Sequence, residues 1–249
     1  MNITELQLVS LIPARGGSER ILRKNIKMMA GKPMIAWTIE ASKKSKYISR
    51  TFVSTEDPEI KEISLQYGAE VIDRPLKYAT DKGYELLGVL QQFKETLWDM
   101  KPDYLCFLYP TSPLRTSEQI DKSYELMIAN NCTRSYTAYK INAGIYEECW
   151  TISQTGKANH LFEMSQEIMH LKNIGFNYEE PRYVHTGEVV IMRFRDALPY
   201  TDMDYGNLSL YEIGEYETID VNEENDFEMA EIILNKRIGG KIICGLKRK

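Results

Sequence analysis

Cysteine and histidine are scarce in this chain of 249 residues, at four and three. The cysteines (Cys106, Cys132, Cys149 and Cys244) are scattered with no C-x-x-C pair. Neither a disulfide framework nor a zinc site is expected, and buried free thiols in a reducing compartment are. No stretch reaches the roughly 18 consecutive apolar residues that a membrane span requires. The start, Met1-Asn2-Ile3-Thr4-Glu5-Leu6, lacks the basic head and apolar core of a secretory signal. A cytoplasmic location without membrane contact is therefore expected. Excess positive charge is missing as well: the net charge is -5, which argues against general nucleic-acid binding. Neither common glycine-rich phosphate motif, G-x-x-x-x-G-K-[ST] or G-x-G-x-x-G, occurs. What is present is ordinary for a globular chain, 43% apolar and 27% charged. The length suits one α/β domain with a sizeable core, alone or with a small lobe.

Against that acidic background the stretch Leu11 to Asn25 reverses the sign. It follows an apolar run (Leu6, Leu8, Val9, Leu11, Ile12) that predicts a buried first strand. Six cations lie between residues 15 and 32, namely Arg15, Arg20, Arg23, Lys24, Lys27 and Lys32, with Glu19 the single acid among them. Gly16-Gly17 permits a tight turn and offers bare amides to an anion. A strand, a glycine turn and a cation cluster together describe a polyphosphate cradle. The alternative is a basic surface loop.

The remaining pattern alternates strands and helices. Pro33 marks a helix start ahead of Met34, Ile35, Trp37, Ile39 and Ala41. Arg50 to Thr55 reads as a strand. Asp57-Pro58 reads as an N-cap and first-turn proline, and Gly68 ends the helix carried by Ile60, Ile63 and Leu65. A short strand covers Ala69 to Ile72. This rhythm predicts a parallel sheet with helices on both faces. Arg74 then stands just past a strand's carboxyl end, where open α/β sheets bind ligands; otherwise it pairs with Asp73 on the surface. Asp81 reads as the N-cap of a helix over 82–97. Asp103 to Leu108 is a continuous apolar strand placed centrally, followed by the stiff loop Tyr109 to Arg115 and a helix over 117–130. Arg134 to Ile141, Val189 to Met192 and Glu215 to Val221 read as strands, and a final helix ends near Arg237. Between them the rhythm breaks over about 142–180, a segment holding His160 and His170, which predicts an inserted lobe. His185 reads as a structural histidine rather than a base, and 241–249 as a solvated basic tail. Asp220 and Asn222, two apart in a strand, would share one face. Their oxygens suit a hard cation such as Mg2+ that also bridges substrate phosphates; the alternative for Asp220 is a solvated strand end. Asp226 reads as a first-turn acid of the last helix.

Four blocks resemble, in the correct order, the signatures of the acylneuraminate cytidylyltransferases, the CMP-sialic acid synthetases, a family that includes the CMP-pseudaminic and CMP-legionaminic acid synthetases. They are Ile12 to Ser18 with Lys24-Asn25 and Gly31-Lys32-Pro33; Pro110 to Arg115; Pro181, Tyr183 and Gly187; and Asp220 with Asp226-Phe227. The resemblance implies an α/β, Rossmann-like, mostly parallel sheet of the nucleotidyltransferase type. It implies a single domain over 1–249, whose inserted lobe at about 142–180 serves a homodimer. It implies that CTP and a nonulosonic (sialic-type) sugar acid react with Mg2+ to give the CMP-sugar and pyrophosphate. Ala14, Arg15, Gly16, Gly17, Ser18, Lys24, Asn25, Arg74, Pro110, Thr111 and Ser112 would bind the nucleotide. Tyr109, Arg115, Tyr183, Thr186, Gly187 and Glu188 would meet the sugar acid. Asp220 and Asn222 would hold the metal, and Arg15, Lys24 and Asp220 would carry catalysis. Five positions depart from the family pattern. Glu19 stands for lysine, Tyr109 for glutamine, Thr186 for asparagine, Glu188 for alanine and Asn222 for aspartate, while Arg20 offers back the charge lost at Glu19. These departures keep two alternatives open: a nucleotidyltransferase with another base or a sugar 1-phosphate acceptor, and a silent nucleotide-binding homologue.

Overall fold

A computed structural model describes residues 3–79, 85–96, 100–141, 150–152, 158–160, 182–196 and 207–239. The first strand, β1 (Leu8–Pro13), alternates its side chains between two cores. Leu8 and Ile12 enter one cluster and Val9 and Leu11 the other. Such two-sided burial is what a parallel strand between helix layers requires. A tight antiparallel pair, β2 (Met28–Met29) and β3 (Lys32–Pro33), then leads into helix α1 (Met34–Lys44). Strand β4 (Ile48–Thr55) runs parallel to β1. Helix α2 (Pro58–Gln66) begins where Asp57 accepts from the amides of Glu59 and Ile60, and turns off at Gly68, whose φ of +79° favours glycine. Strand β5 (Glu70–Asp73) completes this half.

The chain then returns to the other side of β1. Helix α3 (Glu85–Thr96) precedes β6 (Tyr104–Phe107), and α4 (Ser117–Ala129) precedes β7 (Arg134–Ile141). Thr116 and Gln119 close a capping box at the start of α4. A long strand, β10 (Arg182–Arg193), inserts between β6 and β7, and β11 (Leu208–Glu212) adds beyond β7. The order is β11-β7-β10-β6-β1-β4-β5, with β10 alone antiparallel to its neighbours. Helices α1, α2 and α4 cover one face through Ile35, Ile39, Ile60, Ile120 and Tyr124, while α3 covers the other through Val89, Leu90 and Phe93. The mostly parallel α/β sheet is therefore as the sequence pattern predicts. Within the segment predicted as a lobe, β8 (Trp150–Ile152) and β9 (Ala158–His160) pair antiparallel. The rest of that segment, with His170, and Asp81, Cys149, Cys244, Pro181 and the tail at 241–249 lie outside the described residues. Of the two described cysteines, Cys106 is buried and Cys132 only partly so, both as free thiols.

Two expectations need correction. Residues Glu215 to Val221 do not form the last strand: Glu215–Glu217 is a single 3-10 turn and 218–222 is irregular. The Val221 amide donates to the Thr111 carbonyl (2.8 Å), so this segment bonds to the loop after β6 instead of to a strand. The strand beyond β7 is β11, where Leu210 stays exposed and the apolar signal is weak. The second correction concerns β10, which is far longer than Val189–Met192 because it bends at Gly187 (φ +71°) and continues past the irregularity.

The last helix, α5 (Glu224–Arg237), fixes the geometry of the candidate site. Its Phe227, Ala230 and Leu234 pack on Ile21, Met29, Met34, Leu114 and Val221 in a third cluster. Glu231 accepts from the Ala30 amide (2.8 Å), and Glu224 pairs with Lys27 (2.5 Å). The cation-rich loop is thereby held against the segment carrying Asp220 and Asn222.

Candidate active site

The chain crosses from one side of β1 to the other after β5. This makes the carboxyl ends of β1 and β6 the switch point at which open α/β sheets bind ligands. A cavity of about 580 Å³ opens there. Arg15, Ser18, Glu19, Arg20, Lys24 and Asn25 line it from the loop after β1, Tyr109, Pro110 and Thr111 from the loop after β6, and Arg74 from beyond β5. Pro13, Val89 and Phe107 complete its wall. Val89 and Phe107 escape a sequence reading because they carry no polar atom and read only as core. Arg74 is 6% exposed, so it is not a surface arginine on Asp73. Its Nη2 donates to the Ser54 carbonyl (2.8 Å), while Asp73 pairs with Lys61.

Only part of the cation cluster faces the cavity. Arg23 turns away at φ +55° and pairs with Asp57 and Glu59. Lys27 is engaged by Glu224, and Lys32 by Glu40 at 2.8 Å. Arg15, Arg20 and Lys24 remain on the cavity side. Burial pulls the Lys24 ammonium below its ordinary range, opposed by Asp220, with Arg20 and Arg15 adding repulsion. Its Nζ donates to the Val221 carbonyl (2.8 Å), which ties the cradle to the 220 segment.

The glycine turn is built differently from two free amides. Gly16 N–H donates to Glu56 Oε1 (2.7 Å), and a Cβ at residue 16 would collide with the Asp57 carboxylate. Glycine is thus demanded by the close approach of α2's cap. At Gly17 a side chain would meet nothing within 4 Å, so that edge of the turn stays open. Asn25 donates to the Arg15 carbonyl (2.9 Å), while its Oδ1 is buried with no partner, an acceptor beside the cavity. Arg23 holds Asp57 below its ordinary carboxylate range, aided by the amides of Ile60 and Glu59. That contribution is present above the unfolded carboxylate value and is lost as pH falls. Asp57→Ala removes both the cap and the loop pin. It is expected to cost about 1–2 kcal/mol in urea unfolding at pH 7, with the gap from wild type closing as acid titrates Asp57.

Several residues singled out in the sequence stand outside the cavity wall. Ala14 is fully buried and Ser112 is 2% exposed. Arg115 is buried beneath the site, donating to the Glu188 carbonyl, to Thr38 Oγ1 (3.0 Å) and to the Tyr109 carbonyl (2.8 Å). The Glu188 side chain is fully buried, and burial raises its carboxyl to about 7 against the opposing pull of Arg115. Thr218 and Ile219 lie near it without forming well-aligned hydrogen bonds. Thr186 and Thr137 share a hydroxyl contact of 2.8 Å. Tyr183 is exposed and donates to Glu212 on β11 (2.9 Å). His185 packs against Tyr136 in a tilted contact, with ring centroids 4.6 Å apart and planes at 44°.

Among the described residues no group of three or more His, Cys, Asp or Glu side chains is arranged to hold a metal. Asn222 Nδ2 donates to Asp220 Oδ2 (2.7 Å), and Arg20 Nη2 donates to Asn222 Oδ1 (3.0 Å). Asp226 accepts from the amides of Asn222 and Glu223, as the first-turn acid of α5. A single exposed carboxylate fits Mg2+, which takes one or two carboxylates and completes its shell with phosphate and water. Asn222 would join only by turning its amide oxygen from Arg20.

Residues 9–237 match the family model described as cytidylyltransferase. An N-acylneuraminate cytidylyltransferase of Escherichia coli O18:K1:H7 is 27% identical over 95% of this chain and 54% of its own length. A pseudaminic acid cytidylyltransferase of Campylobacter jejuni is 35% identical over 55% of this chain and 61% of its own. The chain thus spans little more than half the length of these curated relatives. The solved CMP:2-keto-3-deoxy-manno-octonic acid synthetase complexed with CTP superposes with a TM-score of 0.67. It covers 93% of this chain and 99% of its own at 16% identity, a likeness of fold. Among the described residues no helix is long and apolar enough to cross a membrane.

Proposed function

The chain belongs to the cytidylyltransferase family, and from that premise we propose that it transfers CMP from CTP to the anomeric hydroxyl of a nonulosonic sugar acid, releasing pyrophosphate. The observation that carries this reading is the convergence of Arg15, Arg20, Lys24 and Arg74 on one cavity at the switch point of an acidic chain. A triphosphate is the ligand class that repays so much positive charge. The curated relatives named above are, by their names, cytidylyltransferases of N-acylneuraminate and of pseudaminic acid, which supports the acceptor class.

In this reading Arg15, Ser18, Lys24 and the open edge at Gly17 bind the triphosphate, and Arg20 adds charge from beside Asn222. Asn25 Oδ1, Arg74, Pro110 and Thr111 border the nucleoside. Lys24 and Arg15 stabilise charge that grows on the leaving pyrophosphate, which is where such catalysis resides. Asp220 is the residue that would hold Mg2+, and the metal supplies charge neutralisation on the phosphate oxygens. Tyr109 and Gly187 border the acceptor, with Arg115 and Glu188 supporting them from below. The same reading takes the chain as a single cytoplasmic domain that forms a homodimer through the inserted lobe.

The test is pyrophosphate release by the pure protein with CTP, Mg2+ and a panel of nonulosonic acids. Turnover with at least one acid is expected. Turnover only with another nucleoside triphosphate or a sugar 1-phosphate, or CTP binding without any turnover, would overturn the reading.

A further inference from the structure

Arg20 lines the cavity, whereas Asp220 and Asn222 stand off its wall. A row of hydrogen bonds nevertheless joins all three. Arg20 Nη2 donates to Asn222 Oδ1 (3.0 Å), and Asn222 Nδ2 donates to Asp220 Oδ2 (2.7 Å). Chemistry allows the amide only this orientation. Turned over, it would press its oxygen on the Asp220 carboxylate and its NH2 on a guanidinium that accepts nothing.

Burial fixes the backbone on both sides. Ile21 follows Arg20, Val221 separates Asp220 from Asn222, and both pack in the third apolar cluster. Thr111 holds the Val221 amide and Lys24 its carbonyl, each at 2.8 Å. Asp226 Oδ2 accepts from the Asn222 amide (2.9 Å). The side chains themselves reach solvent: Arg20 and Asp220 are exposed and Asn222 is half-buried. They can turn where their backbone cannot.

In this arrangement the row disfavours a divalent cation. Asn222 turns its NH2, not its oxygen, toward Asp220, and Lys24 adds a second positive charge acting on that carboxylate. A triphosphate reverses both effects. Its charged oxygens are a stronger, bidentate partner for a guanidinium than a neutral amide oxygen is. Arg20 is the member of the row that faces the cavity, so it is the one such a ligand reaches.

We propose that Arg20 is a positioning residue for the cation site. It holds the Asn222 amide in a non-ligating orientation until a triphosphate takes the guanidinium. Asn222 and Asp220 then receive a divalent cation together with the nucleotide, not before it. The proposal rests on the CTP-dependent reaction proposed above and deepens it. Aspartate at position 222 could not serve in this way, because a carboxylate has no donor for Asp220 and accepts a cation in any orientation.

The experiment titrates Mn2+ into the nucleotide-free protein at low salt and follows the free ion by electron paramagnetic resonance. Arg20→Ala is expected to bind Mn2+ about fivefold or more tightly than wild type, the scale on which one charge acts on a divalent ion across an amide in water. Arg20→Lys keeps the charge and should stay near wild type. The gain should vanish in Arg20→Ala/Asp220→Ala, and it should shrink in Arg20→Ala/Asn222→Ala, because the freed amide oxygen contributes to it. Calorimetry then measures CTP binding with and without Mg2+. The factor by which Mg2+ strengthens it should be smaller in Arg20→Ala, as linkage requires. An Arg20→Ala protein no tighter for Mn2+ than wild type overturns the proposal. So does a gain that survives the loss of Asp220 or of the Asn222 amide, or an equal Mg2+ factor in both proteins. Failure of wild type to bind CTP even with Mg2+ overturns the underlying reaction, an outcome distinct from CTP binding with unaltered Mn2+ affinities.

Discussion

Lys24→Ala is expected to lower kcat/KM for CTP by about 10²–10³-fold, the usual consequence of removing one preorganised charge from a developing anion. Three features make Lys24 the sharpest probe of the cradle. It lines the cavity, it donates to the Val221 carbonyl (2.8 Å), and burial already strains its charged form. A half-buried ammonium holds an anion more strongly than an exposed one, because less water screens it. The loss should appear in kcat more than in the KM for CTP if the charge serves the transition state. The lowered pKa adds a second signature. Lys24 surrenders its proton as pH rises through a value below the ordinary lysine range, so activity should fall on the alkaline side earlier than an exposed lysine would cause. Lys24→Arg keeps charge at every accessible pH and should flatten that limb. Steady-state pH profiles of the two variants check both statements. An unchanged alkaline limb in Lys24→Arg would assign it to another group.

The second large effect concerns stability. Arg115→Met is expected to cost roughly 3 kcal/mol or more in denaturant unfolding, because the Glu188 carbonyl, the Tyr109 carbonyl and the Thr38 hydroxyl lose their donor beneath the site, at about 1–3 kcal/mol for each acceptor left unsatisfied. Arg115 is 4% exposed and ties α1, the loop after β6 and β10 together through Thr38, Tyr109 and Glu188. Its neighbour Glu188 is fully buried, with a carboxyl raised to about 7 by burial. The folded state therefore prefers the protonated form. That contribution is complete below the unfolded carboxylate value and is lost as pH climbs through about 7. Wild-type melting temperature should accordingly decline between pH 5 and 8. Glu188→Gln should flatten this slope, and combined with Arg115→Met it should recover part of the loss, a non-additivity expected of touching groups. Thermal melts of the four proteins across that pH range test the coupling. Equal slopes in wild type and Glu188→Gln would exclude Glu188 as its source.

What the sequence determined by itself rests on local physics. The double-sided apolar run of β1, the Asp57-Pro58 start and Gly68 stop of α2, and the strand Arg134–Ile141 stand where the pattern puts them. Each is specified by steric, capping or burial preferences within a few residues. The cationic character of residues 15–25 was legible in the same way, since charge density needs no partner to be read. Which cations face the cavity was not. Arg23, Lys27 and Lys32 look equivalent to Lys24 in the chain, yet Asp57, Glu224 and Glu40 engage them. Those acids lie between 8 and 197 positions away, so only folding could choose them. The same holds for residues 215–221, which read as a strand until Thr111 captures the Val221 amide. It holds also for Glu188 and Arg115, polar in sequence but buried beneath the cavity. Propensity and periodicity act along the chain. A charge or a backbone amide is satisfied by whatever the packed sheet and α5 bring to it, and the tertiary structure alone decided that.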